Sequence, residues 1–449
     1  MSDLLNIGSS GLRAYRNALS AVSDNVANAN SDGFSRRQIV LSESPVSSGV
    51  SMLYRPQATF GGVDTGAISR SWDAFKSADA RLAGSEFSEA DSRLTWMQRV
   101  ETSLNDGASG VGSQLTAVFN AGDQLSADPN GAFPRQNFLA SIDQAAGTIR
   151  QTSDDLAQVA DGIEADASSA ADLVNSDLVT LARLNVQILK AGAGTSTYAQ
   201  VADERDRLLD EIASKVGIDV KFDNIGAVTV SLSGNGTVLL QDTKVAQIGI
   251  QRASDGRIGF LVSSPTVSGA VFKPSTGSLA GLQDASEQLA ARRQELDNIA
   301  TNFATALNNW SAQGTDKNGN AGTPLLSITG GASTLTALVT DPNLVPAGDS
   351  SNADFGNLLN LSAARNGSGA EDAWVALVSN NGQAVASAKT NSDVTSARKD
   401  IAFSARDAVQ GVDLDVEAAD LLRYQQAYSA CAHVIQVARD TMQDVLDLF

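Results

Sequence analysis

From Leu414 to Phe449 the apolar positions advance by three and four: Leu421, Tyr424, Tyr428, Cys431, Ile435, Ala438, Met442, Val445 and Phe449. No Gly or Pro interrupts the stretch. A seam of this period, sustained over many turns, reads as one face of a helix packed along another helix. The start of the chain offers a match, since Leu12, Tyr15, Leu19, Val22 and Val26 step the same way. Chain ends ordinarily fray, so apolar seams at both ends constrain the fold. The two termini are expected to pair with each other and with copies from neighbouring subunits. A stripe of this kind also suits the internal core of a bundle. Two features favour assembly: the seam runs to Phe449, and Gly8 and Gly11 weaken the first helix by roughly 1 kcal/mol each. Tyr424, Tyr428 and Phe449 are bulky for a tight two-helix contact and suit a larger packing.

At 449 residues the chain has room for about three domains, and an apolar content of 42% supports a real core. A net charge of −19 opposes sequence-independent nucleic-acid binding, which needs cations for the phosphates, and adhesion to an anionic membrane surface. No apolar run is long enough to span a bilayer. The opening Met-Ser-Asp-Leu-Leu-Asn lacks the basic segment and apolar block of a secretory signal. One cysteine, Cys431, allows no intrachain disulfide.

Helical periodicity covers residues 4–29, 75–104, 133–191, 198–216, 279–310, 371–408 and 414–449. Within the 198–216 segment, Asp203, Arg207 and Glu211 at spacings of four read as solvated helix-face pairs. Between 218 and 277 the period falls to two, with Asp223-Asn224, Ser233-Gly234-Asn235-Gly236 and Ser254-Asp255-Gly256 as hairpin turns. Residues 314–366 are rich in Gly, Ser, Thr, Asn and Pro and read as loop with minor β structure. The fold class is therefore mainly α with a β insertion. Terminal helices form a coiled-coil domain from residues 1–40 and 411–449. An elongated helical bundle takes 41–217 and 278–410, with a small antiparallel β domain, 218–277, at its tip.

Bond chemistry finds little support. His433 is the single histidine and stands two residues from Cys431, a spacing that puts the two on different helix faces. Zinc sites of several His or Cys ligands and HExxH chemistry are excluded, and no G-x-S-x-G elbow exists. Asp316-Lys317-Asn318-Gly319-Asn320 begins like a calcium loop, but Ala321 and Ser327 stand where Gly and Glu are needed, so a plain turn is expected. No catalytic, metal or cofactor residues are assigned.

Ser23-Asp24-Asn25-Val26-Ala27-Asn28-Ala29-Asn30-Ser31-Asp32-Gly33-Phe34-Ser35-Arg36 resembles the motif that closes the first helix of bacterial flagellar rod, hook and hook-associated proteins. Val26, Ser31 and Phe34 are mild departures from it. Gly411-Val412-Asp413-Leu414-Asp415-Val416-Glu417, followed by Leu421, Tyr424, Gln425, Gln426 and Tyr428, resembles the family's C-terminal segment, with Val416 in place of the usual acid. The resemblance carries the family motif onto Asn25, Ala27, Asn28, Asn30, Gly33, Phe34, Leu414, Glu417 and Gln425. The segments near Gly61 and at 201–209, with the long helical middle, favour the hook-associated branch at the hook–filament junction; a hook or rod protein is the alternative, and a hydrolase on a flagellar scaffold a more distant one. The resemblance implies a structural subunit outside the cell, exported through the flagellar type III channel without a cleaved signal peptide. It also implies a ring or helical assembly of the chain with itself, contacts to hook protein and to a second junction protein, and an export chaperone on the C-terminal helix.

Overall fold

The computed structural model describes residues 2–44, 61–104, 107–264, 267–349 and 355–447. Helices account for most of the chain. They are α1 (Ser2–Ala27), α2 (Ala74–Ser103), α3 (Val111–Ala127), α4 (Ala132–Ala191), α5 (Ser196–Lys215), α6 (Ser278–Gln313), α7 (Leu361–Ser368), α8 (Ala370–Gln410) and α9 (Leu414–Leu446). Seven of these follow the sequence periodicity. The short helices α3 and α7 are additions, α7 within a stretch expected to be loop. The mainly helical fold with small antiparallel sheets is as the sequence implies.

Packing groups the chain into two compact units. The first comprises Met1–Ser85, Leu173–Gln247 and Ser396–Phe449. It holds α1, α5, α9, an antiparallel pair β1 (Arg37–Glu43) and β2 (Val63–Arg70), and a sheet of β3 (Ile218–Phe222), β4 (Val228–Leu232), β5 (Val238–Gln241) and β6 (Lys244–Val245) in that order. Strand β4 alternates by two, turning Val228, Val230 and Leu232 inward. The sheet is pinned to α4 by Asn185. Its amide nitrogen donates to the Val228 carbonyl at 2.9 Å, and its amide oxygen accepts the Val228 N–H at 2.9 Å. The Asp223 turn is closed by its own carboxylate, which accepts three backbone N–H groups from Ile225, Gly226 and Ala227.

The second unit comprises Glu86–Asp172 and Ile248–Thr395. Its core is aromatic and aliphatic: Phe119 meets Phe303 and Phe138 meets Trp310, both edge to face, among Met97, Leu115, Ile142, Ile149 and Leu156. Gly281 on α6 lets that helix lie against the α2 backbone, since a Cβ there would stand 2.2 Å from the Glu89 carbonyl oxygen. Strands β7 (Gln247–Arg252), β8 (Ile258–Ser264) and β9 (Val267–Phe272) form their own sheet. The alternating stretch at 218–277 thus builds two antiparallel sheets. The physical reason is the covering helix: β4 binds Asn185 of α4, whereas the Ile258 N–H of β8 donates to the Ser286 hydroxyl of α6 at 3.2 Å. The 314–349 segment carries the two-stranded pair β10 (Leu326–Ser327) and β11 (Thr336–Ala337). Asp316 closes its turn by accepting the N–H groups of Asn318 and Asn320 at 2.8 Å each. Buried Asn357 ties the segment to α6, donating to the carbonyls of Trp310 and Pro346.

At the start of α8, Arg365 donates two bonds, of 2.6 and 2.7 Å, to the Glu371 carboxylate, which also accepts from the Thr116 hydroxyl at 2.6 Å. The guanidinium, against the opposing effect of burial, holds the Glu371 carboxyl below its usual range. A depressed carboxyl stabilises the fold above its unfolded pKa of about 4.3 and loses that contribution as pH falls through the folded value. Glu371→Gln should therefore lower the unfolding free energy at pH 7 by about 2 kcal/mol, and the deficit should shrink toward zero as pH drops below 4. Urea denaturation across pH checks this.

Candidate assembly site at the chain termini

Helices α1 and α9 lie antiparallel. Asn25 meets Glu417, Tyr15 stands with its ring centroid 6.3 Å from that of Tyr424, Gly11 packs on Cys431 and Gly8 on Ile435. From the Asn25–Glu417 pair to the Gly8–Ile435 pair the chain runs back along α1 and forward along α9. The contact is close because the residues facing α9 are small. A Cβ on Gly8 would lie 2.6 Å from Ile435 Cγ1, and one on Gly11 2.6 Å from Cys431 Sγ. Ala14, Ala18 and Val22 are buried on the same helix. Gly8 and Gly11 are thus contact positions, and the helix weakening expected of them is the cost of close approach.

The residues of the sequence-read seam sit as follows. Val22 and Ala438 are buried, and Leu12, Tyr15, Leu19, Leu421, Tyr424, Cys431 and Ile435 are half-buried. Val26, Tyr428, Met442 and Val445 remain exposed, and Phe449 lies outside the described residues. Leu12 and Leu19 flank the contact, because the face turned to α9 is centred on the small residues beside them. Burial pushes the Cys431 thiol up. His433 is exposed.

At the other end of the pair the end of α1 and the start of α9 are clasped by polar groups. Glu417 is fully buried and Asn25 is 1% exposed. The Asn25 amide donates to Glu417 Oε2 at 3.1 Å and to the Arg37 carbonyl at 2.9 Å, and its oxygen accepts the Arg37 N–H at 2.9 Å. Arg36 donates from Nε to Glu417 Oε1 at 2.6 Å and from Nη2 to Asp420 at 3.2 Å. The Arg36 N–H donates to the Gln410 carbonyl at 2.8 Å, joining the clasp to the end of α8. Asp413 caps α9, accepting the N–H groups of Asp415 and Val416.

The remaining motif residues shape the turn between α1 and β1. Asn28 folds back, donating to the Asp24 carbonyl at 2.9 Å. Gly33 has φ +74°, open to glycine, with Arg207 against it. The Arg37 guanidinium covers the Phe34 ring at 4.7 Å. Ala27, Asn30, Leu414 and Gln425 are exposed.

Sequence reasoning misses a second layer, an acidic face on α5. Asp203, Asp206 and Asp210, at spacings of three and four, each meet at least one arginine from another element. Asp203 binds Arg37 and Arg70, Asp206 binds Arg70 and Arg205, and Asp210 binds Arg81 and Arg406. Burial pushes the Asp210 carboxyl up, and the two guanidiniums oppose that. The solvated pairing expected of Asp203 is corrected here. Arg207 takes Glu204 and Glu211, its outward neighbours, while Asp203 turns inward to the hairpin arginines. The three-and-four spacing of the aspartates is the available signal. Among the described residues no group of three or more His, Cys, Asp or Glu could hold a metal ion.

Removing one partner of a buried, hydrogen-bonded charge leaves the other unpaired, at a cost of about 3–5 kcal/mol. Glu417→Ala should lower the unfolding free energy by that amount, whereas the exposed neighbour substitution Ala418→Ser should stay within about 0.5 kcal/mol. Chemical denaturation of the two variants checks this.

Comparison with known proteins agrees with this arrangement. Residues 97–326 match the family model of the flagellar hook-associated protein FlgK helical domain. Residues 5–34 match that of flagella basal body rod proteins, and 408–448 that of the flagellar basal body rod FlgEFG protein C-terminal region. Flagellar hook-associated protein 1 of Salmonella typhimurium is 27% identical over 337 residues, which take in 73% of this chain and 60% of that protein's length. The Bacillus subtilis protein of the same name is 25% identical over 489 residues, covering 97% of this chain and 96% of its own. The flagellar hook junction protein FlgK from Burkholderia pseudomallei shares the fold, with a TM-score of 0.51 at 21% identity, over 56% of this chain and 46% of that one. With a FlgK model matched across just over half its length, and rod-protein models at the two ends that the clasp joins, the chain belongs to the flagellar hook-associated protein FlgK family.

Proposed function

We propose that the chain is a structural subunit of the bacterial flagellum at the hook–filament junction, and that it polymerises through a terminal assembly domain of residues 1–40 and 411–449. The observation that carries this reading is the state of α9. The helix is held at its base by the clasp and along one side by α1, yet of its described side chains only Glu417 and Ala438 are buried. Leu422, Val437 and Leu446 are 59%, 63% and 65% exposed. So much apolar surface on a terminal helix marks an interaction site. The family names of the relatives, hook-associated and hook junction protein, point the same way.

In this reading α1 and α9 are sticky surfaces completed by neighbouring copies in a ring or helical array, and the two units supply its body. The partners are further copies of the chain, hook protein and a second junction protein. An export chaperone covers the exposed face of α9 before assembly. The chain leaves the cell through the flagellar export channel with no cleaved signal. No nucleic acid, membrane insertion, cofactor or bond chemistry enters; no described helix is long and apolar enough to cross a membrane. The work is apolar burial at subunit contacts, at about 25 cal/mol per Å².

The test is complementation in cells lacking the endogenous subunit. A chain without residues 411–449 should be folded and soluble but leave the hook without a filament. A trimmed chain that still supported filaments would contradict the proposal.

A further inference from the structure

We infer that the buried carboxylate of Glu417 sets the register in which α9 lies on α1, a task the apolar seam does not perform by itself. The inference deepens the assembly reading and rests on it for its consequence, because the exposed face of α9 is presented to neighbours only as this register aligns it.

The small residues of α1 leave the seam ambiguous. Ile435 and Cys431 occupy the places where Gly8 and Gly11 lack side chains. Buried Ala14 and Ala18 continue the small tract toward the end of α1. A slide of one turn would bring Ile435 over Gly11 and Cys431 over Ala14, again seating a large side chain on a small one. Apolar area changes little in such a slide, so hydrophobic burial discriminates weakly between the two registers. The opposite slide is blocked, because it drives Ile435 onto Leu4.

The polar end discriminates strongly. A one-turn slide carries Glu417 past Asn25 toward Asn28 and strips its carboxylate of the bonds from Asn25 Nδ2 and Arg36 Nε. Asn25 itself cannot follow, because it is fixed to both backbone groups of Arg37. Arg36 cannot follow, because its N–H is held by the Gln410 carbonyl and its carbonyl by the Ser71 N–H. The slipped register therefore forfeits both of the bonds that offset removing this charge from water. A single buried polar group at a helix seam is the best-attested device for fixing register.

The test uses native Cys431 as a reporter in the full-length chain. In the observed register Cys431 faces Gly11, and Ala14, the position it reaches after the slide, lies one turn away. Under mild oxidation, Ala14→Cys should form an intrachain disulfide with Cys431 slowly when Glu417 is present and at least tenfold faster with Glu417→Leu. A second reporter, Tyr15→Cys with Tyr424→Cys in a Cys431→Ser background, reads the observed register and should lose yield with Glu417→Leu. Glu417→Gln, which keeps the side-chain shape but only one accepting oxygen, should give rates between those of the parent and Glu417→Leu at both reporters, and far-UV circular dichroism of each variant is the folding control. Unchanged rates at both reporters would overturn the inference. Loss of both would also overturn it, because the clasp would then hold the helices together without choosing their register. Only monomer bands are scored, so a failure of the assembly reading leaves this result standing.

Discussion

A carboxylate with no solvent exposure, bound by one amide and one guanidinium, joins the two ends of this chain. Glu417 accepts from Asn25 and Arg36, residues separated from it by most of the sequence. Burying such a charge adds little net stability even when it is fully paired. It does impose geometry, since its partners must arrive together or leave a costly orphan. The close α1–α9 contact, the start of α9 and the attachment of both to the end of α8 all follow from that one site.

The two compact units hold together by different means. In the unit that contains the termini, α5 offers Asp203, Asp206 and Asp210 to arginines from the hairpin, α2 and α8. Its cohesion is directional and specific. The other unit relies on Trp310, Trp374, Phe119, Phe138 and Phe303 packed among aliphatic side chains, with Asn357 and Glu371 tying in the irregular segments. A packed aromatic core gives stiffness without polar precision. The polar unit is thus the one that fixes how the terminal helices are presented.

The long helices are legible in the sequence because their apolar period runs for many turns, and the strands because theirs is two. Helix α3 is harder to read: Val111, Leu115, Val118 and Leu125 carry its period, but Gly112, Asn120 and Gly122 dilute it. The sheets divide at a single residue, Ala246, between β6 and β7, and only the covering helices decide that division. At the terminal site, periodicity selects large side chains and so points to Leu12 and Leu19, whereas the contact is made by Gly8 and Gly11, whose signal is the lack of a side chain. The motif residues Asn25 and Glu417 are visible in the sequence; that they touch is not, because no local rule links positions so far apart.

The account stands or falls on whether Asn25 and Glu417 act as one unit. A double-mutant cycle measures this directly: the unfolding free energies of Asn25→Ala, Glu417→Ala and the combined variant are compared with that of the parent chain. A shared buried network predicts strong non-additivity, with a coupling energy above about 1 kcal/mol. Additivity within about 0.5 kcal/mol would mean that the two residues act independently, and that the clasp does not join the ends of this chain.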